Sequence, residues 1–157
     1  MEGGLSWYFA YGSNMSALRL FEERLKPEGV GAGERIAGRL DGWRLAFNKQ
    51  GRVPGTGAGN IVLAPGEVVH GTLNLLPATG FEVLDRYEGV AGGHYERRIV
   101  PVFRDDAGVT VEAITYVALL TGEDLRPTRD YLTHLLAGRD LLPADYFRRL
   151  SETPTVV

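Results

Sequence analysis

The octet Phe81-Glu82-Val83-Leu84-Asp85-Arg86-Tyr87-Glu88 carries three carboxylates, and one stands where a carboxylate is costly. On a helix turning about 100° per residue, with Phe81 at the origin, Val83, Tyr87 and Leu84 fall at about 200°, 240° and 300°. They form an apolar face with Phe81. Glu82, Asp85 and Arg86 fall at about 100°, 40° and 140°, on the other face. Glu88 falls at about 340°, inside the apolar arc. It also sits at the helix C-terminus, where the dipole is unfavourable for an anion. Burial and the dipole both raise a carboxyl pKa. A group tuned in this way can take and return a proton near neutral pH. A frayed last turn would instead release Glu88 to solvent or to an arginine.

A second stretch offers a complement. YFAYGSNM, Tyr8 to Met15, starts as a buried strand, breaks at Gly12-Ser13-Asn14 and continues in a helical pattern. Small residues at a strand-to-helix turn leave backbone N–H groups free to hold a carboxylate or phosphate. Gly12 would let a ligand approach the backbone closely. The plain alternative is a tight turn capped by Ser13 or Asn14.

Other reactive residues carry less. Ser13 lacks the G-x-S-x-G elbow of a serine nucleophile. His70, His94 and His134 are isolated, so neither a base for Ser13 nor a metal site follows from their spacing. Gly55, Gly57 and Gly59 imitate a phosphate loop, but a strand follows Asn60 where a helix is required. Arg97-Arg98 and Arg148-Arg149 read as solvated faces. Tyr11, Tyr95, Tyr116 and Tyr131 are packing residues or pocket donors.

The elements that must position these groups come from the hydrophobic pattern. Strands are expected at Leu5–Tyr11, Gly42–Asn48, Ile61–Leu63, around Val69–Leu75, Tyr95–Phe103 and Val109–Leu119, the last two joined by a hairpin turn. Met15, Leu18, Phe21 and Leu25 define a helical stripe that Pro27 and Gly29 end. Pro77–Glu88 is a helix closed by Gly89. Two short helices follow, near Thr128–Ala137 and from Pro143 to Leu150. Arg52–Asn60 is a flexible loop. The order gives an α+β fold: a strongly curved mixed sheet forming a small barrel-like core with a few flanking helices.

Composition bounds the rest. The chain has 157 residues, 44% hydrophobic and 24% charged, with net charge −3. One domain over 1–157 is expected, large enough to bury a core without staples. The bulk field favours neither nucleic acid nor an anionic membrane. The absence of cysteine removes disulfides, thiol nucleophiles, Cys-ligated zinc and iron–sulfur clusters, and fits a cytoplasmic protein. No apolar run approaches the roughly 20 residues that span a bilayer. MEGGLSW lacks the features of a signal peptide.

YFAYGSNM together with LDRYEGV, Leu84 to Val90, resembles the γ-glutamylcyclotransferases (AIG2-like proteins), whose signatures are a Y-G-S-N or Y-G-S-L loop and a later glutamate in an L-D-x-x-E-G context. NIVLAPGEVVHGTL, GGHYERR and GRDLLPADYFRRL resemble further segments of that family in the same order. The resemblance implies a barrel-like α+β fold and a cofactor-free reaction. In it, a small-molecule γ-glutamyl compound cyclises to 5-oxoproline and its amine portion is released. It implies that Glu88 is the catalytic acid and base. Tyr8, Phe9, Ala10, Tyr11, Gly12, Ser13 and Asn14 would form the substrate-binding loop, with Tyr131, Tyr95 and Tyr116 as pocket tyrosines. It does not select among γ-glutamyl amino acids, glutathione, γ-glutamylamines and antibiotic intermediates, and it leaves a homodimer open. Two other readings stand beside it: a non-catalytic small-molecule binding domain of the same fold, and an acyl-hydrolase using Ser13.

Overall fold

A closed five-stranded barrel lies at the centre of the computed structural model, which describes residues 4–156. Its strands are β1 (Leu5–Ala10), β2 (Arg35–Gln50), β3 (Gly57–Pro77), β4 (Tyr95–Arg104) and β5 (Val109–Ala118). Their order around the barrel is β1-β3-β2-β4-β5, and parallel pairing of β1 with β5 closes it. All other pairs are antiparallel. With its flanking helices this is the α+β fold expected from the pattern.

β2 and β3 are longer than the alternation suggested. The two strands expected around Ile61–Leu63 and Val69–Leu75 are one, because Pro65-Gly66 forms a bulge and not a chain reversal. Asp41 pairs with Val68 and Trp43 with Leu63, so β3 gains residues around Pro65 while Gly42 stands opposite. Gly42 and Gly66 both have φ of 87°, a left-handed conformation that glycine adopts without a Cβ penalty. Pairing resumes beyond the bulge, and the sheet bends there. Gly57–Asn60, expected in the loop, also belongs to β3: Gly57 pairs with Gln50 and Asn60 with Ala46. A second irregularity, between Ala46 and Lys49, bends the end of β2.

The chain after β1 departs from the expected helix. Ser13–Met15 forms a 3₁₀ turn, and Leu18–Leu25 is a π-helix. Neither Ser13 nor Asn14 caps it; Ser16 Oγ accepts from the N–H of Arg19 at 3.2 Å. Leu18 is 63% exposed, whereas Leu20, Phe21 and Leu25 are buried. Bonding from i to i+5 aligns residues five apart, so Leu20 and Leu25 share the inward face and Leu18 leaves it.

The later helices match the sequence more closely. α1 (Ala78–Tyr87) ends at Glu88, whose N–H donates to the Leu84 carbonyl at 2.8 Å, and Gly89 follows with φ of 65°. α2 (Arg129–Leu136) is capped by Thr128, whose hydroxyl accepts from the N–H of Tyr131. α3 (Ala144–Ser151) follows Pro143. Among the described residues no helix is long and apolar enough to cross a membrane.

The core has two parts. Phe9, Leu40, Ile61, Val69, Leu73, Val100 and Val102 fill the barrel. Leu20, Leu25, Leu76, Phe81, Leu84, Leu132 and Leu135 join the barrel wall to the helices. The candidate site lies where these parts meet.

Candidate active site

α1 delivers Glu88 to a cavity of about 640 Å³, as the helical period required. Phe81, Val83 and Leu84 are buried and fix the rotation of the helix. Tyr87 departs from the expected face. It is 51% exposed, and the Arg24 guanidinium lies 4.5 Å above its ring. Asp85, expected on the outer face, turns back to the barrel. It accepts from the Tyr116 hydroxyl at 2.7 Å and from both Nε and an Nη of Arg97. Burial raises the Asp85 pKa, but these hydrogen bonds outweigh it and hold the carboxyl below its ordinary value.

Glu88 is treated oppositely. Burial pushes its carboxyl up to about 7, partly opposed by the charges of Arg24, Arg19 and Lys49. No side chain among the described residues donates a hydrogen bond to it. Two carboxyls one helical turn apart are thus set to different protonation behaviour, one kept ionised and one poised near neutrality.

The turn after β1 forms another wall. Tyr8, Tyr11, Gly12, Ser13 and Asn14 line the cavity; Phe9 and Ala10 do not. Strand alternation turns Phe9 into the barrel core, and Ala10 is buried in the packing toward the helices. The N–H groups of Gly12, Ser13 and Asn14 donate to no described residue, as the sharp turn suggested. Gly12 also serves a different end: a Cβ there would stand 3.2 Å from the Tyr131 hydroxyl. Gly59 is under the same constraint, with its Cβ position 3.1 Å from that oxygen.

Accounting for hydroxyl hydrogens separates five of the tyrosines that line the cavity, Tyr8, Tyr11, Tyr95, Tyr116 and Tyr131. Tyr11 donates to the Tyr116 carbonyl at 2.5 Å, Tyr95 to the Gly59 carbonyl at 2.7 Å, and Tyr116 to Asp85. Each has one hydroxyl hydrogen, already committed. Tyr131 accepts from the N–H of Gly59 and Tyr8 accepts from Asn14 Nδ2, both at 2.9 Å. Their hydrogens remain free. Burial raises the Tyr8 pKa and the nearby Glu88 charge adds to this, so Tyr8 stays protonated as a donor. Asn14 Oδ1 in turn accepts from Arg24 at 2.9 Å, which orients the amide toward Tyr8.

Three cations border the carboxyl that sequence reasoning did not select. Arg19 and Arg24 are five apart, and only the π-helical turn brings them to one wall. Lys49, at the bent end of β2, is 7% exposed. Its Nζ donates to the Gln50 carbonyl at 2.8 Å and lies 5.8 Å from the centre of the Tyr95 ring. Burial lowers its pKa, with Glu88 opposing. Extending the alternation Trp43, Leu45, Phe47 by one step reaches Lys49, which was the available signal.

Ser13 makes no hydrogen bond to a histidine among the described residues, although His94 also lines the cavity. Among those residues no group of three His, Asp or Glu is arranged to hold a metal ion.

Solved structures share this architecture. The human uncharacterized protein LOC79017 superposes with a TM-score of 0.82 at 24% identity, over 98% of this chain and 90% of that one. A gamma-glutamyl cyclotransferase superposes with a TM-score of 0.79 at 26% identity, over 97% and 89%. A yeast gamma-glutamyl cyclotransferase specific to glutathione reaches 0.62 at 12% identity, over 96% and 95%, which is a likeness of fold. No curated protein matches the sequence. The profile of the AIG2-like family matches residues 68–150, more than half of the chain, including the part of β3 beyond the bulge, α1 with Glu88, and the helices to Leu150. By that match the chain belongs to the AIG2-like family.

Proposed function

We propose that this chain is a γ-glutamylcyclotransferase, converting a γ-glutamyl amide to 5-oxoproline and a free amine. The observation that carries this reading is Glu88: a carboxyl inside a cavity, raised to about 7, beside a turn with unspent N–H groups. The gamma-glutamyl cyclotransferase that shares the fold supports the reaction class.

In this reading the N–H groups of Gly12, Ser13 and Asn14 hold the α-carboxylate of the γ-glutamyl group. Glu88 takes a proton from the α-ammonium, and the freed nitrogen attacks the carbonyl carbon of the γ-amide in the same molecule. A site that folds the substrate so that these atoms meet gains from proximity. The γ-oxygen becomes an oxyanion, to which Tyr8 or Tyr131 donates its free hydroxyl hydrogen. The bond from that carbonyl carbon to the leaving nitrogen then breaks. Glu88 passes its proton to that nitrogen and takes the second proton of the attacking nitrogen as the ring amide forms; that proton leaves with the amine as its ammonium, so one carboxyl serves as base and as acid.

The test is a product assay with γ-glutamyl-alanine, glutathione and ε-(γ-glutamyl)-lysine, read by mass. 5-Oxoproline equal to the amine released is the expected result. Free glutamate in its place would mean hydrolysis and would sink the cyclisation mechanism.

A further inference from the structure

Lys49 is a buried cation that no carboxylate among the described residues contacts; Glu88 acts on it only at longer range and is itself raised to about 7. Its ammonium has three N–H donors, and among the described residues a single acceptor, the Gln50 carbonyl, takes one of them. It forms no ion pair among the described residues. Buried charges are ordinarily paired, because desolvation of a lone ion is expensive. Lys49 also borders the cavity, next to the Gln50–Val53 rim, on a different element from the Gly12–Asn14 turn. Glu88 is the only carboxylate among the lining residues, whereas Arg19, Arg24, Lys49, Arg52 and Arg86 all line it. A cavity so charged suits a ligand with more than one carboxylate.

A γ-glutamyl amide presents one carboxylate on its glutamyl half. If the free N–H groups of the turn take that one, Lys49 is left for the half that departs. We infer that Lys49 is a specificity-determining residue that binds a carboxylate on the amine portion. Compounds in which that portion is an amino acid or peptide, with its carboxylate near the scissile bond, are then preferred over γ-glutamylamines that lack one. This inference rests on the proposed cyclisation and deepens it.

The experiment compares γ-glutamyl-alanine with γ-glutamyl-ethylamide, which differ only by that carboxylate, in the wild type and in Lys49→Met and Lys49→Arg. The quantity read is the ratio of kcat/KM for the two compounds. A charge-assisted hydrogen bond predicts a wild-type ratio of about 10 to 100 in favour of the alanyl compound. The ratio should collapse toward one in Lys49→Met and recover in part in Lys49→Arg. An unchanged ratio in Lys49→Met overturns the assignment, even if both rates fall, since Lys49 would then serve the glutamyl half or the fold. If the wild type makes no 5-oxoproline from either compound, the cyclisation reading fails by itself. The anion site is then read by thermal shift: γ-glutamyl-alanine must raise Tm more than the ethylamide does, in the wild type and not in Lys49→Met, or the site fails too.

Discussion

Replacing Glu88 with Gln is expected to lower 5-oxoproline formation by about a hundred- to ten-thousand-fold, the usual contribution of a positioned acid–base group. The same variant should be more stable than the wild type at alkaline pH. The two effects share a cause. Burial holds the Glu88 carboxyl at about 7 in the folded chain, against an ordinary 4.5, with Arg24, Arg19 and Lys49 limiting the rise. The folded state therefore binds this proton more tightly than the unfolded state does. Stability from the neutral carboxyl is fully present below pH 4.5 and is lost as pH rises through about 7. At pH 8 the ionised group costs about 3 kcal/mol relative to the same carboxyl in the unfolded chain. Gln cannot ionise and escapes that cost. Urea midpoints of both proteins at pH 5 and pH 8 check the claim: the variant should gain on the wild type between the two. An equal gap at both pH values would mean that Glu88 is not raised, and the catalytic assignment would lose its physical basis.

A large effect on folding is expected at Gly71. It pairs with Gly38 across β2 and β3, and the two facing glycines make room inside the barrel. A Cβ at Gly71 would overlap the Ala10 carbonyl and stand 3.0 Å from the Phe9 ring. A Cβ at Gly38 would stand 2.9 Å from Val102 Cγ1 and 3.0 Å from Leu73 Cγ. Small residues opposite large ones are how a narrow barrel is filled. At Gly71 one obstacle is backbone, which cannot rotate away, and β1 would have to move. Gly71→Ala is expected to destabilise the chain by about 3 kcal/mol or more, at the upper end for overpacking. β1 also leads into the Gly12–Asn14 turn, so activity should fall with stability. Denaturation of the purified variant measures it; a midpoint within error of the wild type would contradict this packing of β1.

Much of this was legible in the sequence, and the reasons differ by residue. Glu88 could be read because α1 is a regular helix whose period is fixed by Phe81, Val83 and Leu84. Asp85 could not. The wheel gives an angle, but not the arrival of Arg97 from β4 and Tyr116 from β5 at that angle. Arg19 and Arg24 were hidden by a period: at α-helical spacing five residues point apart, and nothing local announced a π-helix. Among the loop residues, alternation alone would have separated Tyr8 from Phe9, which the family likeness grouped together. The long β3 was missed because Pro65-Gly66 has the chemistry of a turn, and whether pairing resumes after it depends on the partner strand.

The barrel is closed by narrow seams. In the backbone ladder β1 meets β5 only at Trp7–Ala113 and Tyr8–Ile114, supplemented by the Thr115 hydroxyl donating to the Phe9 carbonyl, and β2 meets β4 only at Gly38–Arg104 and Arg39–Phe103. β4 and β5 pair along their whole lengths, and all of β1 pairs with Thr72–Pro77 of β3. The fold is therefore two well-bonded ribbons joined at two weak edges, and amide exchange should follow that division, fastest in strand residues at the seams. Tyr8 and Lys49 come from one ribbon, Tyr95 and Tyr116 from the other. The cavity exists only while both seams hold. An occupant touching both sides will slow exchange at Trp7, Tyr8 and Ile114, in proportion to its free concentration over its Kd.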